Sequence, residues 1–363
     1  MLCQGGVAMD DVYRRLRRKL DMFPIGFPES DEAYEILRTL YTPEEAALAL
    51  KLPMMNKALG EIAAGLGEDP GVLREKLDSM AGRGTVFMSE RDGTRYYRML
   101  PSVVGFSETP FWPGKETEKT RRLAPLWRKY FEDRFGYEIG DRAHSVMRVI
   151  PLNETISNES RVMPFEDLAE LLQKNTYFAV AHCPCRLYMK GTGKECDHTL
   201  EACLHFDSEG RYMVDHGMAR EITREETLRI LKECNEEGLV HTTYNMQGKV
   251  GTICNCCSCC CVFFNALKEL KLPGAIARSN YVSRVDPDLC CACEVCADRC
   301  PVDAITVDDA AVVDAERCIG CGVCVPTCPT EAVTLQQRPV EEVRELPDRQ
   351  TWAVDLLKEK GVL

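Results

Sequence analysis

Cys290-x2-Cys293-x2-Cys296-x3-Cys300-Pro301 returns 28 residues later as Cys318-x2-Cys321-x2-Cys324-x3-Cys328-Pro329. This spacing holds a pair of cubane iron–sulfur clusters. Three closely spaced thiolates on a tight loop wrap one corner of a cube. The fourth, followed by proline, opens a segment that leads away and reaches the neighbouring cube. The crossed ligation expected is therefore Cys290, Cys293, Cys296 and Cys328 around one [4Fe-4S] cluster, with Cys318, Cys321, Cys324 and Cys300 around the other. Eight cysteines packed only as small hydrophobes would have no reason to repeat this spacing. Cys291 stands outside the pattern and reads as a small buried residue.

Working outward, Pro287, Pro301 and Pro329, with Gly320 and Gly322, are placed to fix loops whose amides point at cluster sulfurs. From Arg284 to Arg338 there are ten acids and four bases. An acidic face of this kind would steer the module toward a basic patch on a redox partner.

Residues 281–337 closely resemble the bacterial two-cluster [4Fe-4S] ferredoxins. That resemblance implies one-electron transfer at low potential, although iron–sulfur potentials span roughly −700 to +450 mV with surroundings.

Upstream lie two further cysteine constellations. The first is His182-Cys183-Pro184-Cys185-Arg186, followed by Cys196 and Cys203, with His198 and His205 nearby. Four thiols suit a tetrahedral zinc or a complete cube, and the three histidines are alternative ligands or donors to ligands. The second is Cys254-Asn255-Cys256-Cys257-Ser258-Cys259-Cys260-Cys261. Six cysteines in eight residues exceed what one cube takes from one loop. If the run from Cys256 is helical, Cys256, Cys260 and Cys259 share one face, and Cys257 and Cys261 another. This loop either completes the 183–203 site or holds a third cluster or zinc of its own; a relay of vicinal thiols is the competing reading. Cys234 reads as core, and Cys3 stands alone.

The chain from about residue 30 also resembles a family of 4Fe-4S ferredoxin-type proteins of anaerobes. The matching residues are Val149-Ile150-Pro151, Cys183-Pro184-Cys185-Arg186, Cys203, Gly238-Leu239-Val240-His241 and Ile253-Cys254-Asn255-Cys256-Cys257. The resemblance implies no particular substrate.

The fold class expected is α+β and multidomain. Residues 1–30 carry a basic amphipathic stretch from Tyr13 to Phe23, read as a solvated helix face in preference to a membrane or partner contact. Residues 31–100 read as a winged-helix-like domain: helices from Ala33, from Thr42-Pro43, over Asn56–Leu66 and from Asp69-Pro70, then strands flanking Arg91-Asp92-Gly93. A connector helix over Glu116–Phe135 occupies 101–150. The cysteine-rich α+β domain spans 151–280, with a helix over Pro164–Lys174, a strand over Thr176–His182, a capping box at Thr223 and Glu226, and a strand over Leu239–Tyr244. The ferredoxin module follows at 281–337, and a helix over Asp348–Lys360 closes 338–363.

At 363 residues and a net charge of −12, the chain is long enough for two or three cores, and its acidity disfavours nucleic acid. Residues 31–100 hold nine bases and twelve acids, which weighs against a redox-sensing transcription regulator. No run of about 18 apolar residues predicts a membrane span. The N-terminal sequence lacks an apolar signal core, and Asp10, Asp11 and Asp21 argue against a transit peptide. Twenty-one cysteines, dense in places and often adjacent, fit a reduced, metal-loaded cytoplasmic protein of an anaerobic cell better than a disulfide framework. Phosphate loops, His-Glu-x-x-His helices and Gly-x-Gly-x-x-Gly turns do not occur. The expected role is an electron carrier or electron-transfer subunit serving a partner enzyme. An oxidoreductase with its active site at 254–261 is the enzyme alternative.

Overall fold

The computed structural model describes residues 4–157 and 167–363. The first helix, Gln4–Leu20, buries Tyr13, Leu16 and Leu20. The basic stretch is not simply a solvated face, because Arg17 turns inward and pairs with Asp21 at 2.8 Å. Lys19 Nζ donates to the carbonyls of Leu50 and Leu52, closing the loop after the third helix.

The helices Asp31–Leu40, Pro43–Ala49 and Pro70–Gly82 start at side-chain caps written into the sequence. Thr42 and Glu45 form a reciprocal capping box ahead of Pro43–Ala49. Asp69 accepts from the amides of Gly71 and Val72 to open Pro70–Gly82. The expected helix over Asn56–Leu66 is shorter, Leu59–Leu66, because Lys57 and Ala58 are extended as strand β1 (Lys57–Ala58). That strand pairs with β3 (Thr94–Met99), which also pairs with β2 (Val86–Arg91). The two-residue turn Asp92-Gly93 has φ of 50° and 72°, the left-handed pair such hairpins need.

The segment after the hairpin does more than connect. Helix Glu118–Tyr130 runs on through Phe131–Phe135 into Gly136–Gly140. Trp127, Tyr130 and Phe135 are buried with Phe27 and Phe106 in one aromatic cluster. Phe131 stacks on Trp127 and also meets Tyr188, so this helix locks the N-terminal helices onto the cysteine-rich region.

That region is built on a seven-stranded sheet. Its strands are β4 (Met147–Val149), β5 (Phe178–His182), β6 (Glu201–Phe206), β7 (Arg220–Ile222), β8 (Val240–Tyr244), β9 (Thr252–Cys256) and β10 (Ile276–Ala277), in the order β10-β4-β8-β9-β6-β5-β7. All neighbours are antiparallel except β10 and β4. Helix Arg224–Glu236 starts at Thr223, whose hydroxyl accepts from the Glu226 amide. The return half of the expected capping box is replaced: the Glu226 carboxylate binds Arg220 at 3.0 Å. The expected helix over Pro164–Lys174 is seen as Leu168–Gln173, its first residues lying outside the described ones.

The C-terminal module has β11 (Tyr281–Val285) paired with β14 (Val333–Gln337), and β12 (Ile305–Val307) with β13 (Ala311–Val313). Helix Arg349–Glu359 follows, and Lys360 returns to Asp21 and Glu138 near the start of the chain. Among the described residues, no helix is long and apolar enough to cross a membrane.

Candidate metal centres

The tandem repeat is visible in the backbone. In the first copy Ala292, Glu294 and Asp303 take φ of 52°, 64° and 52°. In the second copy Gly320, Gly322 and Glu331, each 28 positions on, take 67°, 73° and 55°. Left-handed residues on both sides of the middle cysteine curl the loop so that successive amides converge, the geometry of an anion nest. The first copy reaches it with side chains that oppose this conformation, and the second with glycine.

The thiols meet across the repeats. One small cavity is lined by Cys290, Cys293 and Cys296 together with Cys328 of the second copy. Cys321 and Cys324 of the second copy interact electrostatically with Cys318 and with Cys300 of the first. Backbone amides already point at sulfur: Ala311 N lies 3.4 Å from Cys290 Sγ and Ala304 N 3.2 Å from Cys300 Sγ. Ser283 Oγ lies 3.2 Å from Cys324 Sγ. Burial pushes the Cys321 thiol well up and Cys324 to about 12, so both ionise readily only against a compensating cation. The two repeats differ in surroundings. Residues 318–324 are buried throughout, whereas Cys291 and Cys293 are exposed. Cys291 is thus not the buried residue expected, because its loop lies at the outer tip of the module.

The ten cysteines of the two upstream constellations separate into two sets, and the split does not follow the sequence. Cys196, Cys257, Cys259 and Cys260 bring their sulfurs within 4.8 Å of one another. Cys183, Cys185, Cys203, Cys254, Cys256 and Cys261 form the other set. Cys196 therefore leaves the Cys183-Cys185-Cys203 group it was read with. The run from Cys256 is not helical: β9 extends through Cys256, residues 257–261 turn, and a helix begins only at Val262. This turn sends Cys257, Cys259 and Cys260 to one side and Cys261 to the other.

The sheet explains the second set. Cys203 on β6 sits opposite Cys254 on β9, and Cys256 follows Cys254 by two, which keeps all three on one face. The β5–β6 register slips between Ala181 and His182, just before Cys183. Such a bulge re-aims the chain. Cys183 and Cys261 then cap the short helices Pro184–Lys190 and Val262–Lys268.

Arg186 lies between the sets, only 2 % exposed. Its Nη2 donates to the Asn255 carbonyl at 2.9 Å. Burial works against its charge, but the thiols of Cys183, Cys257 and Cys256 more than offset this and raise its pKa. The positive charge is thus held where sulfur-bound negative charge would collect. Asn255 also joins His241 Nδ1 at 2.6 Å and donates to the Ala202 carbonyl, which fixes the strand that carries Cys254 and Cys256. Of the three histidines considered as ligands, His182 Nδ1 contacts the Trp112 carbonyl at 3.1 Å and His198 faces Glu237 at 3.6 Å. His205 is buried, and desolvation holds it down to about 3, so it is neutral. Cys234 is buried in the core, and Cys3 lies outside the described residues.

Glu108 and Trp112, unmarked as site residues by the sequence, also face the six-thiol set. Burial pushes the Glu108 carboxyl up to about 7, against the pull of the hydrogen bond from the Gly105 amide at 2.7 Å. No local signal marks either residue, since both lie some 70 positions before Cys183 and arrive only through the chain's return.

Comparison with curated proteins and with solved structures returns no match for the chain. Residues 283–306 and 311–334 each match the family model of the 4Fe-4S binding domain. The C-terminal part of this chain is therefore a 4Fe-4S ferredoxin-type module whose two motifs fit two [4Fe-4S] clusters.

Proposed function

We propose that the chain is an electron-transfer protein serving a partner redox enzyme. In this reading Cys290, Cys293, Cys296 and Cys328 hold an outer cube, and Cys318, Cys321, Cys324 and Cys300 an inner one. When bound, the two cubes supply one-electron transfer. The supporting observation is the unequal setting of the repeats. The outer loop leaves Cys293 and Leu289 at the surface, where a partner can approach. The inner loop is clasped by the body: Arg299 bridges the Val323 carbonyl to the Asn235 carbonyl, and Arg338 donates to the Cys318 carbonyl at 2.6 Å. These contacts exclude water from the inner site and hold it against the cysteine-rich sheet. Cys196, Cys257, Cys259 and Cys260 add a further metal site, with the ligand number of zinc or a cube.

The three-stranded sheet and the helices before it support a winged-helix-like reading of the N-terminal part, used for protein docking. Two of its basic residues are spent internally: Arg95 binds Asp78 and Glu90, and Lys76 binds Glu68 at 3.0 Å. DNA readers keep such charges for phosphate. Anaerobic purification followed by dithionite reduction tests the proposal. Two interacting cube-type paramagnetic signals are expected, and a colourless protein with no such signal would overturn it.

A further inference from the structure

The six-thiol set is a site in its own right. Each of its sulfurs engages two others, in the closed circuit Cys183–Cys185–Cys261–Cys256–Cys254–Cys203 and back to Cys183. The circuit is assembled from the end of β5, the facing strands β6 and β9, and the first residues of two helices. Ordinary core packing gives no reason for six thiols from four separate places to close a ring.

The surroundings point to an occupant. All six thiols line one largely apolar cavity together with Trp112 and His205, and Cys257 of the four-thiol site borders it. Trp112 Nε1, whose N–H can only donate, is buried and has no hydrogen-bond partner, and His205 Nε2 beside it has none either. An unmet buried donor costs about 1–3 kcal/mol, so a purely structural packing of thiols would leave this penalty standing. Inorganic sulfide and cysteine sulfur are the acceptors that such donors meet around a metal–sulfur cluster. The buried Arg186 guanidinium beside Cys183 and Cys256 supplies countercharge.

We propose that Cys183, Cys185, Cys203, Cys254, Cys256 and Cys261 hold an iron–sulfur cluster of their own, distinct from the ferredoxin pair and from the Cys196 site. Six thiolates cover the four irons of a cube with two to spare, so the chamber takes at least one cube.

The test begins with the variant Cys196→Ser/Cys259→Ser, which disables the four-thiol site at its two most accessible members and leaves the chamber whole. Anaerobically prepared and reconstituted with iron and sulfide, it should hold about 12 irons per chain or more, against about 8 for the ferredoxin pair alone. A value near 8 overturns the proposal whatever the four-thiol site binds. Adding Cys203→Ser/Cys254→Ser should then remove about four irons or more while the dithionite-reduced ferredoxin signals persist. Retention of all the iron would also overturn it. Should that quadruple variant not fold, the count on the first variant decides alone. The ferredoxin signals report separately on the proposed electron-transfer role, so the two readings fail independently.

Discussion

Replacing Gly320 by alanine separates two costs that usually travel together. Gly320 has φ of 67°, and a non-glycine residue there loses roughly 1–2 kcal/mol. That cost is tolerable, because its counterpart Ala292 bears it at φ 52°. What differs is the neighbourhood. A Cβ on Gly320 would fall 2.2 Å from both Ser279 Oγ and the Tyr281 carbonyl oxygen. The Tyr281 carbonyl belongs to β11 and receives Arg338 Nε at 3.1 Å, so it cannot withdraw cheaply. Forcing such a shift adds about 1–3 kcal/mol, for a total near 2–5 kcal/mol concentrated on the loop between Cys318 and Cys321. Gly93→Ala is the control, with φ of 72° and nothing within 4 Å of the added atom. Anaerobic urea unfolding and iron counting should show Gly93→Ala losing about 1 kcal/mol with full iron. Gly320→Ala should lose several-fold more stability and about four irons, with the outer-cube signal retained. Equal iron content and equal midpoints in the two variants would refute the claim that close packing against the body, and not backbone conformation, holds the inner loop.

Glu108 predicts a pH dependence of defined sign. Its folded pKa is raised from 4.5 to about 7, so the stability it contributes is complete below 4.5 and lost as pH rises through 7. Glu108→Gln should therefore gain on the native protein by at most about 3 kcal/mol between pH 5 and pH 8, read from thermal midpoints; a constant difference across that range would rule this out. Arg186→Met strips the countercharge from Cys183, Cys257 and Cys256 and leaves the Asn255 carbonyl without its donor. A loss of about 3–5 kcal/mol is expected, with reduced iron in the sheet region and unchanged ferredoxin signals; full iron retention would show that the guanidinium is dispensable.

What could be read directly from the chain was whatever chemistry demands at short range. A cube needs three corners from one loop, so Cys290, Cys293 and Cys296 carry their meaning in their spacing, and the copy at Cys318 repeats it. Helix caps are equally local: Thr42 with Glu45 and Asp69 with Val72 act within a single turn. Thr223 shows the edge of this legibility, since its own cap forms while Glu226 is drawn away by Arg220, nineteen residues beyond Glu201 in sequence but beside it in space.

The sorting of the upstream cysteines belongs to tertiary structure. Cys196 and Cys203 are seven residues apart and end in different sets, whereas Cys203 and Cys254 are 51 apart and face each other. Strand register sets that pairing, and a shift of one residue would turn Cys254 and Cys256 to the opposite face. The same holds for Cys291, whose exposure follows from which repeat the body clasps. Sequence determined that two cubes have a cradle, because their ligands are neighbours along the chain. Only the folded sheet decided how the other thiols divide, because hydrogen-bonded strands and a five-residue turn, not spacing, carry their sulfurs together.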